Sequence, residues 1–121
     1  SATRMGNKVA ALTRGLEKAP RYQGTLWRRM NVPSGEKLAP WINKGGRIEF
    51  DTHYSFSKRS GKWSGNVTII IKDSKKSAVD VQSISQFSTE YEAIALKGTQ
   101  YIIEDAVNEH GNTWTIYLKE L

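Results

Sequence analysis

An α+β domain, with an N-terminal helix or helices packed on a mainly antiparallel split β-sheet or β-sandwich core, is what three features of the sequence predict. The first is a helical apolar spacing near the N-terminal end. The second is a long succession of short segments rich in β-branched and aromatic residues, and the third is the set of glycine-bearing turns between them. In residues 5–19, Val9, Leu12 and Leu16 recur at three- and four-residue spacing, which gathers them on one face of an amphipathic helix. Pro20 ends that helix, because proline offers no N–H to the helical ladder and its ring clashes with the preceding turn. Residues 36–43 read as a short second helix interrupted at Pro40, and Gly45-Gly46 closes it with a turn.

Strands are expected at residues 22–30, 47–50, 53–56, 67–71, 78–81, 91–96, 101–107 and 113–118. Residues 67–71 form an unbroken β-branched run, Val-Thr-Ile-Ile-Ile, the mark of a strand central in its sheet. Lys97-Gly98 and His110-Gly111-Asn112 supply turns between the last three strands, which predicts a meander. The sequence holds no internal repeat and no low-complexity tract.

Composition narrows the chemistry. The chain has 121 residues, 38% hydrophobic and 25% charged, enough apolar material for one packed core. No apolar run approaches the ~20 residues of a membrane-spanning helix, and no segment has the layout of a signal peptide. The absence of cysteine removes disulfides and thiolate metal sites, and the two histidines, His53 and His110, lie far apart, so no metal is expected. The formal net charge of +6 is concentrated: residues 1–30 carry seven basic residues against Glu17 alone, while the rest of the chain is balanced. A basic end on a neutral body attracts anionic partners such as a nucleotide, a nucleic acid or an acidic protein.

Three features carry candidate chemistry. Glu90-Tyr91-Glu92 opens a strand that continues as Ala93-Ile94-Ala95-Leu96. Alternation puts both carboxylates on one face, their α-carbons roughly 6.7 Å apart, where mutual repulsion is costly unless a polar ligand arrives. Leu26-Trp27-Arg28-Arg29-Met30 sets cations inside an otherwise apolar strand, and a partly buried guanidinium calls for a carboxylate or a phosphate. Ser55-Phe56-Ser57 puts two hydroxyls on one strand face, where they can hydrogen-bond a neighbouring carboxylate and fix its rotamer.

Together, and in this order, the three resemble the Arg–Ser–Glu class of mono-ADP-ribosyltransferases. Trp27-Arg28 matches the family's aromatic–Arg pair on the first strand, Ser55-Phe56-Ser57 its Ser-x-Ser strand, and Glu90-Tyr91-Glu92 its Glu-x-Glu motif. The last is preceded by a turn carrying Phe87 and followed by an apolar strand and Lys97-Gly98-Thr99, as in such domains. The resemblance covers residues 21–121. Arg29 stands where many members carry a small residue, which leaves Arg28 and Arg29 both open as the motif arginine. Lys58 stands where a third small hydroxyl residue is common.

The resemblance implies a single catalytic domain over residues 1–121 that uses NAD as co-substrate and no metal. It implies catalytic roles for Glu92, Glu90, Arg28 and Ser55, and NAD contacts from Arg28, Ser55, Ser57, Trp63 and Glu92. Trp63 would sit in a loop, residues 58–65, that closes over NAD, while Phe87 and Glu90 would read the target. A Glu at position 90 goes with arginine acceptors in this family. Two further readings stay open: an ADP-ribosyltransferase acting on RNA, and a basic, non-enzymatic module binding nucleic acid or protein. The context implied is a monomeric toxin or effector tip at the C-terminal end of a larger secreted protein, delivered into a target cell and neutralised by a cognate immunity protein.

Overall fold

Val67–Ser74 (β4) takes the place its unbroken β-branched run predicts: it is fourth of eight strands, with two neighbours on each flank at least. The computed structural model describes residues 18–61, 64–81 and 91–121. The other strands are Gly24–Met30 (β1), Arg47–Glu49 (β2), Tyr54–Ser57 (β3), Ala78–Asp80 (β5), Glu92–Ala95 (β6), Gln100–His110 (β7) and Thr113–Glu120 (β8). They form one mixed sheet in the order β2-β7-β8-β4-β1-β3-β6-β5, in which β4 and β8 run parallel and the other pairs antiparallel.

The α+β expectation is corrected by this architecture, because the described residues are organised by strands alone. The helix expected at residues 5–19 lies, up to residue 17, outside the described residues. The second expected helix is replaced by consecutive turns over residues 34–42. Leu38 and Ala39 both donate to the Gly35 carbonyl and Trp41 donates to Leu38, but Pro40 has no N–H, so the i→i−4 ladder cannot propagate. What holds the segment is packing: Leu38 is buried, and Trp41 lies against the ring of Phe50 at 6.1 Å. The expected meander is corrected too. β6 pairs with β3 and β5, whereas β7 pairs with β2 and β8. Between them the chain turns at Gly98, whose φ of 86° suits glycine, and is held there by reciprocal bonds with Phe50 (Gly98 N to Phe50 O, 2.8 Å; Phe50 N to Thr99 O, 3.0 Å). Those bonds send the chain across the molecule instead of into a hairpin.

One joint in the sheet matters for the site. β1 is laddered to β4 along six residue pairs but meets β3 at one, Trp27 with Ser57. The sheet is therefore two well-paired wings, β2-β7-β8-β4-β1 and β3-β6-β5, touching at a narrow seam. Their inner faces share one apolar cluster: Leu26, Ile69, Ile71, Ile103, Ile116 and Leu118 from the first wing meet Phe56, Ala93 and Ala95 from the second. Phe50 and Tyr101 bridge the two, with ring centroids 6.1 Å (Phe50–Phe56) and 4.8 Å (Phe50–Tyr101) apart. Each fully buried Leu, Ile or Phe is worth about 1.5–3 kcal/mol, so closing the wings on each other supplies much of the driving force for folding. The first expected strand starts two residues late for a similar reason. Tyr22 donates its N–H to the carbonyl of Ala78, the first residue of β5, and only at Gly24 does the chain cross to lie along β4.

Candidate active site

The seam brings the three sequence motifs onto one line. Ser57 is the residue directly across from both Trp27 on β1 and Glu92 on β6. Directly paired residues project to the same face, so Trp27, Ser57 and Glu92 form a cross-strand row. With about 4.8 Å per strand, the outer two α-carbons stand about 10 Å apart. Ser55 shares that face two residues along β3 and lies across from Ile94. The hydroxyl directly opposite Glu92 is thus that of Ser57, while Ser55 reaches it on the diagonal. Ser57 is buried, and its Oγ accepts a hydrogen bond from the Arg59 N–H at 3.0 Å, which leaves its own proton for a neighbour. Glu92 is half-buried.

Arg28 and Arg29 go to different places, as strand alternation requires. Arg28 Nη1 donates to the Ser55 carbonyl at 2.9 Å, tying β1 to β3 where the sheet ladder between them is thinnest. Its guanidinium also lies 5.1 Å from the centre of the Tyr54 ring. Burial lowers the Arg28 pKa, and the nearby Tyr54 acts in the opposite direction. Tyr54 in turn is held as the neutral phenol. Burial raises its pKa first, and the Asp51 carboxylate that accepts its O–H at 3.2 Å raises it further, against a lowering from Arg28. Arg29 instead donates from Nη2 to the Gly65 carbonyl at 2.9 Å, on the side of β4. Of the two cations, Arg28 is the one set against the serine strand.

The end of β3 and the start of β6 are tied beyond the ladder. Lys58 N donates to Tyr91 O at 2.7 Å, and Lys58 Nζ pairs with Asp80 on β5 at 2.7 Å. The Arg59 guanidinium lies over the Tyr91 ring, 3.2 Å from its centre. None of these partners was singled out by the sequence patterns. Lys58 and Arg59 read there as the start of a polar loop, and Tyr91 as the spacer between two acids; stacking across a strand end leaves no periodic signal. Glu90, Phe87 and Trp63, and with them the expected acidic pair, target-reading turn and NAD-covering aromatic, lie outside the described residues. Among the described residues, no group of three or more His, Cys, Asp or Glu is placed to hold a metal ion.

Chemically, a half-buried carboxylate directly across from a buried hydroxyl suits a ligand bearing sugar hydroxyls, and the Arg28 guanidinium, which leaves β1 on the face opposite to Trp27, is held to the same serine strand through the Ser55 carbonyl. No protein-family model and no curated protein sequence matches this chain. Solved structures do. The ATR domain of Salmonella SpvB superposes with a TM-score of 0.77 at 16% identity, covering 99% of this chain and 73% of that one. The Vis toxin of Vibrio splendidus, an ADP-ribosyltransferase, gives 0.73 at 17% identity over 98% of this chain and 58% of that one. The type III effector XopAI of Xanthomonas axonopodis pv. citri gives 0.68 at 15% identity over 84% of this chain. The chain spans less than half, 45%, of that effector's length. At these identities the likeness is one of fold: this chain is folded like ADP-ribosyltransferase toxins and effectors.

Proposed function

We propose that the chain is the catalytic domain of an NAD-dependent mono-ADP-ribosyltransferase of the Arg–Ser–Glu class, with Glu92 as its central catalytic residue. One observation carries the reading. Trp27, Ser57 and Glu92, drawn from three motifs that are distant in sequence, stand in one cross-strand row, and Arg28, next to Trp27 on β1, bonds to the Ser55 carbonyl, within a fold shared with ADP-ribosylating toxins.

The reaction breaks the bond between nicotinamide and its ribose, the electron pair leaving with the pyridine nitrogen and positive charge building on the ribose. Arg28 binds phosphate or ribose through charge-assisted hydrogen bonds. Glu92 accepts a hydrogen bond from the ribose 2′-hydroxyl and stabilises the charge that develops, an electrostatic role strengthened where water is excluded. Ser55 and Ser57 hold that carboxylate in place, Ser57 from directly across the ladder. Trp63 covers the bound dinucleotide. Glu90 takes the proton of the acceptor nitrogen as the new bond forms at the anomeric carbon, and Phe87 helps seat the acceptor. Glu at position 90 favours a protein arginine as acceptor. RNA is the second reading, favoured by the concentration of the +6 charge in residues 1–30. In either case the domain acts as a toxin or effector delivered to a target cell, with a cognate immunity protein as partner.

The test uses labelled NAD and a bacterial lysate with wild type and Glu92→Ala. Wild type is expected to transfer label and release nicotinamide, and Glu92→Ala to do neither. Glu90→Ala is expected to lose transfer while keeping some NAD hydrolysis. Label removed by protease identifies a protein acceptor and label removed only by ribonuclease identifies RNA. Equal transfer by wild type and Glu92→Ala would overturn the assignment, and absence of NAD turnover in wild type would favour a non-enzymatic binding module.

A further inference from the structure

Glu92 is the first residue of β6, and its pair with Ser57 is the last in the β3–β6 ladder. Strand ends fray, yet a carboxylate that must meet one ribose hydroxyl has to be held within about 0.5 Å of its working position. Something past the ladder must fix it.

The three residues from Ser57 onward all contact this strand start or one another. Ser57 stands across from Glu92, Lys58 donates its N–H to the Tyr91 carbonyl at 2.7 Å, and Arg59 lays its guanidinium on the Tyr91 ring at 3.2 Å. The Arg59 N–H also returns to Ser57 Oγ at 3.0 Å, which curls the chain so that the guanidinium can reach the ring. Lys58 is anchored in its turn by Asp80, so the backbone that carries Arg59 is not free to swing. Tyr91, in the turn that leads into β6, is the immediate chain neighbour of Glu92. Holding the ring of one therefore sets the rotation of the strand, and with it the direction of the other.

We propose that Arg59 and Tyr91 form a tie that positions Glu92 against the ribose of NAD. They are positioning residues acting through the backbone of residue 91 and the hydroxyl of Ser57. The proposal rests on the ADP-ribosyltransferase reading of Glu92, but the tie itself is a physical feature that can be measured without it. The guanidinium sits on the ring face, so Tyr91→Phe keeps this contact, while Arg59→Lys keeps it in weaker form.

The experiment compares Arg59→Ala, Tyr91→Ala, the double variant, Tyr91→Phe and Arg59→Lys with wild type, by NAD hydrolysis kinetics, thermal unfolding and amide hydrogen exchange. Misplacing a catalytic group by about 1 Å can cost up to about a hundredfold, so the alanine variants are expected to lose about tenfold or more in kcat. KM for NAD is expected to stay within about twofold, because Arg28 and the seam are untouched. The double variant should lose no more than the worse single one, since both remove the same tie. Tyr91→Phe should recover most of kcat and Arg59→Lys an intermediate share. The Lys58 amide, which bonds to Tyr91 O, should exchange about fivefold faster or more in Arg59→Ala, with the melting temperature little changed. Unchanged Lys58 exchange overturns the tie whatever the kinetics. Active wild type with kcat unaltered in both alanine variants, or with KM and kcat falling together, overturns its role in aiming Glu92. If wild type turns over no NAD, the proposed function fails, and with it the role in aiming; the tie is then accepted or rejected on the Lys58 amide.

Discussion

Ser57 on β3 stands directly across from Glu92 on β6, and its buried Oγ already accepts a hydrogen bond from the Arg59 N–H. The hydroxyl proton left over is the nearest side-chain donor to the carboxylate that the register provides. Ser57→Ala is expected to lower kcat for NAD turnover about ten- to a hundredfold, the loss that goes with one hydrogen bond to a charged group. Ser55→Ala is expected to cost less, because Arg28 is held by the Ser55 carbonyl, which alanine retains. Steady-state nicotinamide release from the two variants decides between them. A larger loss at Ser55 would return the orienting role to that residue.

Arg28 makes a second case, for side-chain shape over charge. Its guanidinium donates one N–H to Ser55 O and lies near the Tyr54 ring, in the planar geometry that suits a phosphate or ribose oxygen. Lysine keeps the charge but presents a point instead of a planar fork. Arg28→Lys is expected to raise KM for NAD about tenfold with a smaller change in kcat, measured by steady-state kinetics or calorimetric titration of NAD. Arg29→Lys, at the residue that bonds Gly65 O instead, should leave KM for NAD near the wild-type value.

How much of this was legible beforehand depends on the range of the interaction. Trp27-Arg28, Ser55-Phe56-Ser57 and Glu92 were readable because residue type and strand alternation are local properties. Register was not: a period of two fixes which face Ser55 and Ser57 share, but not which of them meets Glu92. The parallel pairing of Ile69 with Ile116 is invisible for the same reason, since the two strands are joined only through β5, β6 and β7. Residues 36–43 read as a short helix interrupted at Pro40, and Pro40 together with the burial of Leu38 makes them linked turns instead. The meander expected over the last three strands failed at Gly98, where hydrogen bonds to Phe50 from a remote segment redirect the chain. Between Arg28 and Arg29 the sequence offered two equivalent cations, and only the position of β3 separates them.

Gly65 tests the packing behind the seam. Its φ is 147°, and a β-carbon there would fall within 2.4 Å of the Met30 carbonyl group, against backbone that cannot swing aside. The same residue accepts the Arg29 hydrogen bond through its carbonyl. Gly65→Ala is expected to destabilise the domain by about 2 kcal/mol or more, read as a fall in melting temperature of about 8 °C or more. An unchanged melting temperature would mean that residues 64–66 rearrange without cost.

Glu120 provides the pH test. Its carboxylate accepts the N–H groups of Lys75 (2.6 Å), Lys76 (3.0 Å) and Ser77 (2.5 Å), pinning the turn between β4 and β5 to the end of β8. The Tyr101 hydroxyl donates to Ser77 Oγ at 2.7 Å, and Ser77 donates on to Glu120, so the network runs from the core to the surface. Burial alone would raise the Glu120 pKa, but these hydrogen bonds outweigh it and hold the value below the ordinary 4.5. A carboxylate whose folded pKa lies below its unfolded one stabilises the fold above the unfolded value. That contribution is lost as the pH falls through the folded value. Stability should therefore be flat in this respect above about pH 5 and decline below 4.5, with Glu120 contributing to the slope. In Glu120→Gln that contribution disappears, and stability at neutral pH falls by about 1 kcal/mol, a modest figure because Lys75 and Lys76 are exposed and water can take over part of the bonding. Chemical denaturation from pH 3 to pH 7 measures both. If the variant and wild type lose stability with the same slope below pH 4.5, the network does not hold Glu120 ionised, and the turn is pinned by its backbone contacts alone.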